Sequence, residues 1–141
     1  MVRANFFWFL RRSIDLLEEE AYKNFALLAA ELGNLRSMVS SGSTTRVAFF
    51  DRNKFIITEE LGYSDIVVRF ANDAVVIDLI DAKYSFTRAL LSGDVFVRGN
   101  IDILNKFNLA LAIYLDGAIR SPSFDELLSQ YRSGLSKCVS S

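Results

Sequence analysis

The chain has 141 residues, with 16 Lys+Arg against 17 Asp+Glu, 12 Phe, one Cys and no His. That length suits one domain, and 51% hydrophobic residues with a mean hydropathy of +0.23 argue for a filled core and against disorder. A net charge of −1 removes the basic footprint that nucleic-acid binding needs, the absence of His excludes Ser-His-Asp and Cys-His nucleophiles and His-ligated zinc or haem, and Cys138 alone forms neither an internal disulfide nor a thiolate cluster.

The start, Met1-Val2-Arg3-Ala4-Asn5 then Phe6-Phe7-Trp8-Phe9-Leu10, looks like a short signal segment. Arg11-Arg12 and an acidic helix follow with no small-residue cleavage site, so no cleaved signal is expected. From about residue 5 to 33 the pattern is one helix: Ile14, Leu17, Ala21, Phe25, Leu28 and Leu32 recur at helical steps, and Gly33-Asn34 stops it. The Ser-rich tract Ser37 to Thr45 is expected as a loop. Arg46–Phe50 and Lys54–Glu60 are strands of a hairpin around Asp51-Arg52-Asn53, and Leu61 to Ser64 turns the chain into a strand over Asp65–Phe70. Ala74–Asp81 is expected as a helix capped by Asn72 or Asp73, followed by a short helix over Phe86–Leu91. A strand over Asp94–Arg98 leads through Gly99-Asn100 into a helix from Ile101 to about Leu115. A last helix starts at Ser123, in a capping box with Glu126, and runs to Arg132 before a Ser-rich tail over 133–141 that frays. The order is α+β in a single domain, with sheet and later helices over 45–132.

The stretch Ala89-Leu90-Leu91-Ser92-Gly93-Asp94-Val95-Phe96-Val97-Arg98-Gly99-Asn100, continued by Leu104 and Lys106-Phe107, resembles the sterol carrier protein type 2 family of lipid-transfer domains. Their signature runs through an apolar turn, Ser-Gly, an alternating strand with a basic residue, Gly-Asn or Gly-Asp, and a Leu-rich helix. The resemblance spans roughly Thr45 to Leu115, and Ser92, Gly93, Arg98, Gly99 and Asn100 carry the motif. It implies an α+β fold whose mixed, mostly antiparallel, four- to five-stranded sheet is covered by helices and encloses an apolar tunnel. The tunnel takes sterols, fatty acyl chains, acyl-CoA or phospholipid, with no covalent chemistry and no cofactor. Four strands are legible, and Ser37 to Thr45 is the first place to look for a fifth. The family's peroxisomal tail is missing, since the chain closes on Val139-Ser140-Ser141, and a cytoplasmic location is expected. The motif residues also have local reasons. Gly93 and Gly99 bracket a short strand where positive φ is useful, Asn100 can cap the next helix, and Arg98 can pair with a carboxylate or a ligand head group.

The helix Ile101–Leu115 carries Ile101, Ile103, Leu104, Phe107, Leu109, Leu111, Ile113, Tyr114 and Leu115 on nearly every side, so it is expected to be buried on nearly every side. Leaving three or four such residues wet costs about 5–10 kcal/mol. Core packing, a ligand tunnel or an oligomer interface would each cover them. For a tunnel, the wall residues are Phe86, Leu90, Phe107, Leu111 and Tyr114, with the Tyr114 hydroxyl toward a polar head. Phe6-Phe7-Trp8-Phe9-Leu10, beside Arg3, Arg11 and Arg12, is either the start of a packed helix, a tunnel lid or a membrane-surface contact. Asp78 and Asp81 share a helix face, but no further ligand motif accompanies them, so no metal site and no catalytic residue is named. The leading expectation is a non-enzymatic carrier of a hydrophobic small molecule or lipid. The alternative is an interaction module, as a homodimer or with another protein, whose core is fully packed and takes no ligand. An enzyme with a buried Asp, Glu or Lys is the weakest reading.

Overall fold

The computed structural model describes residues 5–81 and 83–139. Its elements are α1 Phe6–Glu20, α2 Tyr22–Leu32, β1 Ser37–Ser41, β2 Thr44–Asp51, β3 Lys54–Thr58, β4 Ile66–Phe70, α3 Asp73–Ile80, α4 Phe86–Ser92, β5 Val95–Arg98, α5 Ile101–Arg120 and α6 Phe124–Val139. The strands form one mixed sheet in the order β3-β2-β1-β4-β5, in which β1 and β4 run parallel and the other neighbours antiparallel. This is the α+β, mostly antiparallel architecture that the sequence predicts.

Its fifth strand is β1, inside the tract expected as a loop. Serines are weak strand formers, but β1 lies at the middle of the sheet with β2 on one side and β4 on the other, so its backbone groups pair on both edges. The hydroxyls are used too: Ser40 Oγ lies 2.9 Å from Thr45 Oγ1 across the ladder, and Ser41 donates to the Asp73 carboxylate. The β2–β3 hairpin turns through Arg52 and Asn53, at φ 51° and 65°, a two-residue connection whose twist suits the flanking strands.

Three other expectations are corrected. The first helix is two, broken at Ala21, where φ is −140° and ψ 53°. At about 1.5 Å per residue a continuous helix would overrun so small a domain, and the break lays α1 and α2 against one another. Ser123 does not form a capping box with Glu126. Its backbone N–H and hydroxyl donate instead to the Glu20 carboxylate, at 3.0 and 2.7 Å, so the last turn of α1 caps the start of α6. The tail expected to fray continues α6 to Val139, while the last two residues, like Arg3, lie outside the described residues.

Strand register places Val39, Ala48, Phe50, Ile57 and Val68 on one face of the sheet and Met38, Thr45, Val47, Arg69 and Phe96 on the other. The helices cover the first. One buried cluster joins Phe6, Phe7 and Phe9 of α1 to Val39, Val76, Phe124, Leu127 and Tyr131. Phe9 stacks on Tyr131 with ring centroids 4.7 Å apart and meets Phe124 edge-on at 5.8 Å. The Phe6–Leu10 segment is therefore the start of a packed helix, the first of its three readings: Phe6, Phe7 and Phe9 are buried in this cluster and Trp8 and Leu10 pack against it. A second cluster joins Ile14, Leu17, Phe25 and Leu28 to Phe50 and Ala110. Here α5 comes close to α1 and α2 because its residues are small: a Cβ on Gly117 would stand 2.8 Å from Leu17 Cδ2. Asn24 ties α2 to α5, donating from Nδ2 to the Ile113 carbonyl at 3.1 Å and to Asp116 Oδ2 at 2.9 Å. No helix among the described residues is long and apolar enough to cross a membrane.

Candidate functional site

The expected wall residues come from two helices. Ser85 caps α4, its hydroxyl accepting from the Arg88 N–H at 3.1 Å, and Phe86 and Leu90 lie one turn apart on that helix. Asn100 caps α5 as predicted, with Oδ1 accepting from the Ile103 N–H at 2.9 Å, and Leu104, Phe107 and Leu111 then recur along one face. The two helices meet where the Phe86 and Phe107 rings stand 6.4 Å apart. Phe86, Leu90, Phe107 and Leu111 belong to neither buried cluster; Phe86, Phe107 and Leu111 are half-buried and Leu90 is 41% exposed.

Tyr114 is placed differently. Its hydroxyl donates to Ser13 Oγ at 2.7 Å, and Ser13 in turn donates to the Leu10 carbonyl at 2.8 Å, so this donor is spent on α1. Burial pushes the phenol pKa up to about 12, partly opposed by the bond to Ser13. Its ring packs with the second cluster and faces Phe124 at 6.5 Å.

The motif residues are spread over the junction. Gly93 ends α4 at φ 85°, a conformation that only glycine adopts without strain. Gly99 has no positive φ, contrary to expectation. It lies instead beside β4 and the first turn of α5, where a Cβ would meet the Asp65 carbonyl and the Ile66 and Ile103 side chains at 3.5–3.6 Å. Ser92 joins a polar knot that sequence reasoning missed: Tyr84 Oη donates to Asp94 Oδ2 at 2.9 Å, Ser92 Oγ lies against both, and α4 is thereby fastened to β5. A tyrosine and an aspartate ten residues apart carry no local signal for this pairing. Arg98 is exposed, lies opposite Val67 on the sheet face away from the helices, and among the described residues takes part in no ion pair.

The expectation that α5 is covered on nearly every side is corrected. Only Ala110, Gly117 and Ala118 are buried in it, while Leu109, Leu115, Ile101 and Ile119 are 49%, 41%, 70% and 85% exposed. One face of the helix packs on α2 and α1, Phe107 meets Phe86 of α4, Tyr114 meets Phe124 of α6, and the outward stripe with Ile101 and Ile119 stays exposed. Asp81, one of the two aspartates on a shared face, is bound by Arg132 Nη2 at 2.7 Å. Among the described residues no group of three His, Cys, Asp or Glu side chains is placed to hold a metal ion.

No protein-family model matches the sequence, and no curated protein matches it. The fold is similar to that of solved structures. One is described as UbiJ-SCP2 ubiquinone synthesis protein, 21% identical with a TM-score of 0.51 over 66% of this chain and 75% of that one. Another is sterol carrier protein 2 from Yarrowia lipolytica in its apo form, 13% identical with a TM-score of 0.50 over 82% of this chain and 89% of that one. The chain has an SCP2-like fold.

Proposed function

We propose that the chain binds a hydrophobic ligand (a fatty acyl, sterol-like or phospholipid molecule) between α4 and α5, carries it without covalent chemistry, and does so in the cytoplasm. The observation that carries this reading is the half-covered set Phe86, Leu90, Phe107 and Leu111, which stands outside both core clusters on two helices that meet at the Phe86–Phe107 ring pair. Fully burying such a side chain is worth about 1.5–3 kcal/mol, and since the four are already largely covered, completing their burial leaves about 2–4 kcal/mol to a guest. The SCP2-like fold supports the reading, because the similar structures are named for ubiquinone synthesis and for sterol carriage. Delipidated protein titrated with fluorescent fatty acyl and sterol probes is expected to bind at least one of them saturably, and Phe107→Ala to weaken that binding about tenfold or more. No saturable binding of any probe would sink the proposal.

A second reading draws on a different observation. Ile101 and Ile119 sit on the outward stripe of α5, 70% and 85% exposed, and a second copy or another protein would cover them. Light scattering, with native mass spectrometry for co-purifying lipid, separates the two: a tight dimer without lipid supports the interface, a lipid-loaded monomer the carrier.

A further inference from the structure

The face of the sheet turned away from the helices holds a groove of about 650 Å³, within the usual size of small-molecule sites. Its floor is one row of side chains in register across four strands: Thr45 on β2, Ser40 on β1, Arg69 on β4 and Phe96 on β5. Met38 and Leu61 flank that row, Leu61 arriving on the connection that crosses from β3 to β4. Leu61 and Phe96, 43% and 44% exposed, lend the groove apolar surface.

The polar groups are arranged for an anion. The Arg69 guanidinium is held over the Phe96 ring at 5.3 Å, and among the described residues it has no carboxylate partner. Of the hydrogen-bonded hydroxyls Ser40 and Thr45, 2.9 Å apart, whichever accepts keeps its own proton to donate elsewhere. Asp94, at the end of the groove, is occupied: its Oδ2 accepts from Tyr84 Oη at 2.9 Å and from Ser92 Oγ at 3.3 Å.

We propose that this groove is a second binding site, for a small amphiphile with a single anionic head. The head sits on Arg69 and the free hydroxyl of the Ser40–Thr45 pair, and the apolar body lies along Met38, Leu61 and Phe96. The row that forms its floor lies on the opposite face of the sheet from the Phe86–Phe107 contact, and its end reaches Gly93, where α4 stops.

Backbone-amide NMR of the full chain tests it, with decanoate kept below its micelle concentration, decyl phosphate, decanol and acetate as separate titrants. Decanoate and decyl phosphate are expected to move the amides of Ser40, Thr45, Arg69 and Phe96 saturably, and decanol and acetate to bind about tenfold more weakly or less. Arg69→Gln is expected to lower decanoate affinity about tenfold, Ser40→Ala several-fold, and Arg12→Gln, which removes the same charge elsewhere, to leave it unchanged. An amide spectrum of each variant establishes that it is folded. Equal binding by Arg69→Gln, or equal binding of decanol and decanoate, overturns the proposal. Shifts confined to α4 and α5 overturn it too, while leaving the carrier reading standing.

Discussion

Phe9 and Phe107 are the same residue in two different situations. Phe9 is 1% exposed, stacked on Tyr131 at 4.7 Å and edge-on to Phe124 at 5.8 Å, in a cluster where α1, α6 and the sheet cover it on every side. Phe107 is half-buried, with the Phe86 ring 6.4 Å away, on a helix that also leaves Ile101, Leu109, Leu115 and Ile119 exposed. Both stretches are rich in Phe, Leu and Ile, so composition does not separate them. What separates them is whether the rest of the chain supplies a second surface. One region spends its apolar groups on folding, and the other leaves part of its apolar surface open.

The comparison breaks most readily on large-to-small substitutions. Phe9→Ala is expected to cost about 3–5 kcal/mol in urea unfolding and Phe107→Ala about 1 kcal/mol. Equal costs would mean that the α4–α5 face is ordinary core. Next comes pH. The folded-state pKa of Tyr114, about 12, lies above the ordinary 10.0. The stability lent by its neutral hydroxyl is therefore whole below pH 10 and is lost as pH rises from about 10 to about 12, on the order of 2–3 kcal/mol. Unfolding measured across that range should fall more steeply for the wild type than for Tyr114→Phe, and parallel curves would remove Tyr114 from the packed side of the comparison.

Gly117→Ala sharpens the boundary between the regions, because the added methyl group meets Leu17 where α5 is tightest. A loss of about 1–3 kcal/mol is expected by thermal unfolding, and no loss would show that α5 can slide outward. The smallest effect belongs to the open side. Ile119→Ser should change stability by no more than about 0.5 kcal/mol, and a larger drop would place that side chain in a contact between copies.

Much of the fold was legible because it rests on local rules. The Asn72 and Asn100 caps, the Arg52-Asn53 turn and the alternation in β4 are each read over a few residues, and each stands where the spacing puts it. That Phe86 and Leu90 share a face of α4, and Phe107 and Leu111 a face of α5, follows from the same helical periodicity. What escaped depends on partners far along the chain. β1 is a strand because β2 and β4 flank it, not because serine favours strands. The Tyr114 hydroxyl is committed to Ser13, 101 residues away. Glu20 caps α6 from the end of α1, and no pattern around Ser123 announces it.

The sequence by itself determined the alternation of helices and strands, the caps and turns that bound them, and an excess of apolar side chains around α5. Those follow from backbone propensity and from periodicities of two and 3.6 residues, which are local physics. Only the tertiary structure decided which apolar stretch became core and which stayed open, since burial depends on what arrives from elsewhere in the chain. It placed α1 between sheet and α6, set small residues of α5 against α2, and left Phe107 half covered against Phe86 of α4.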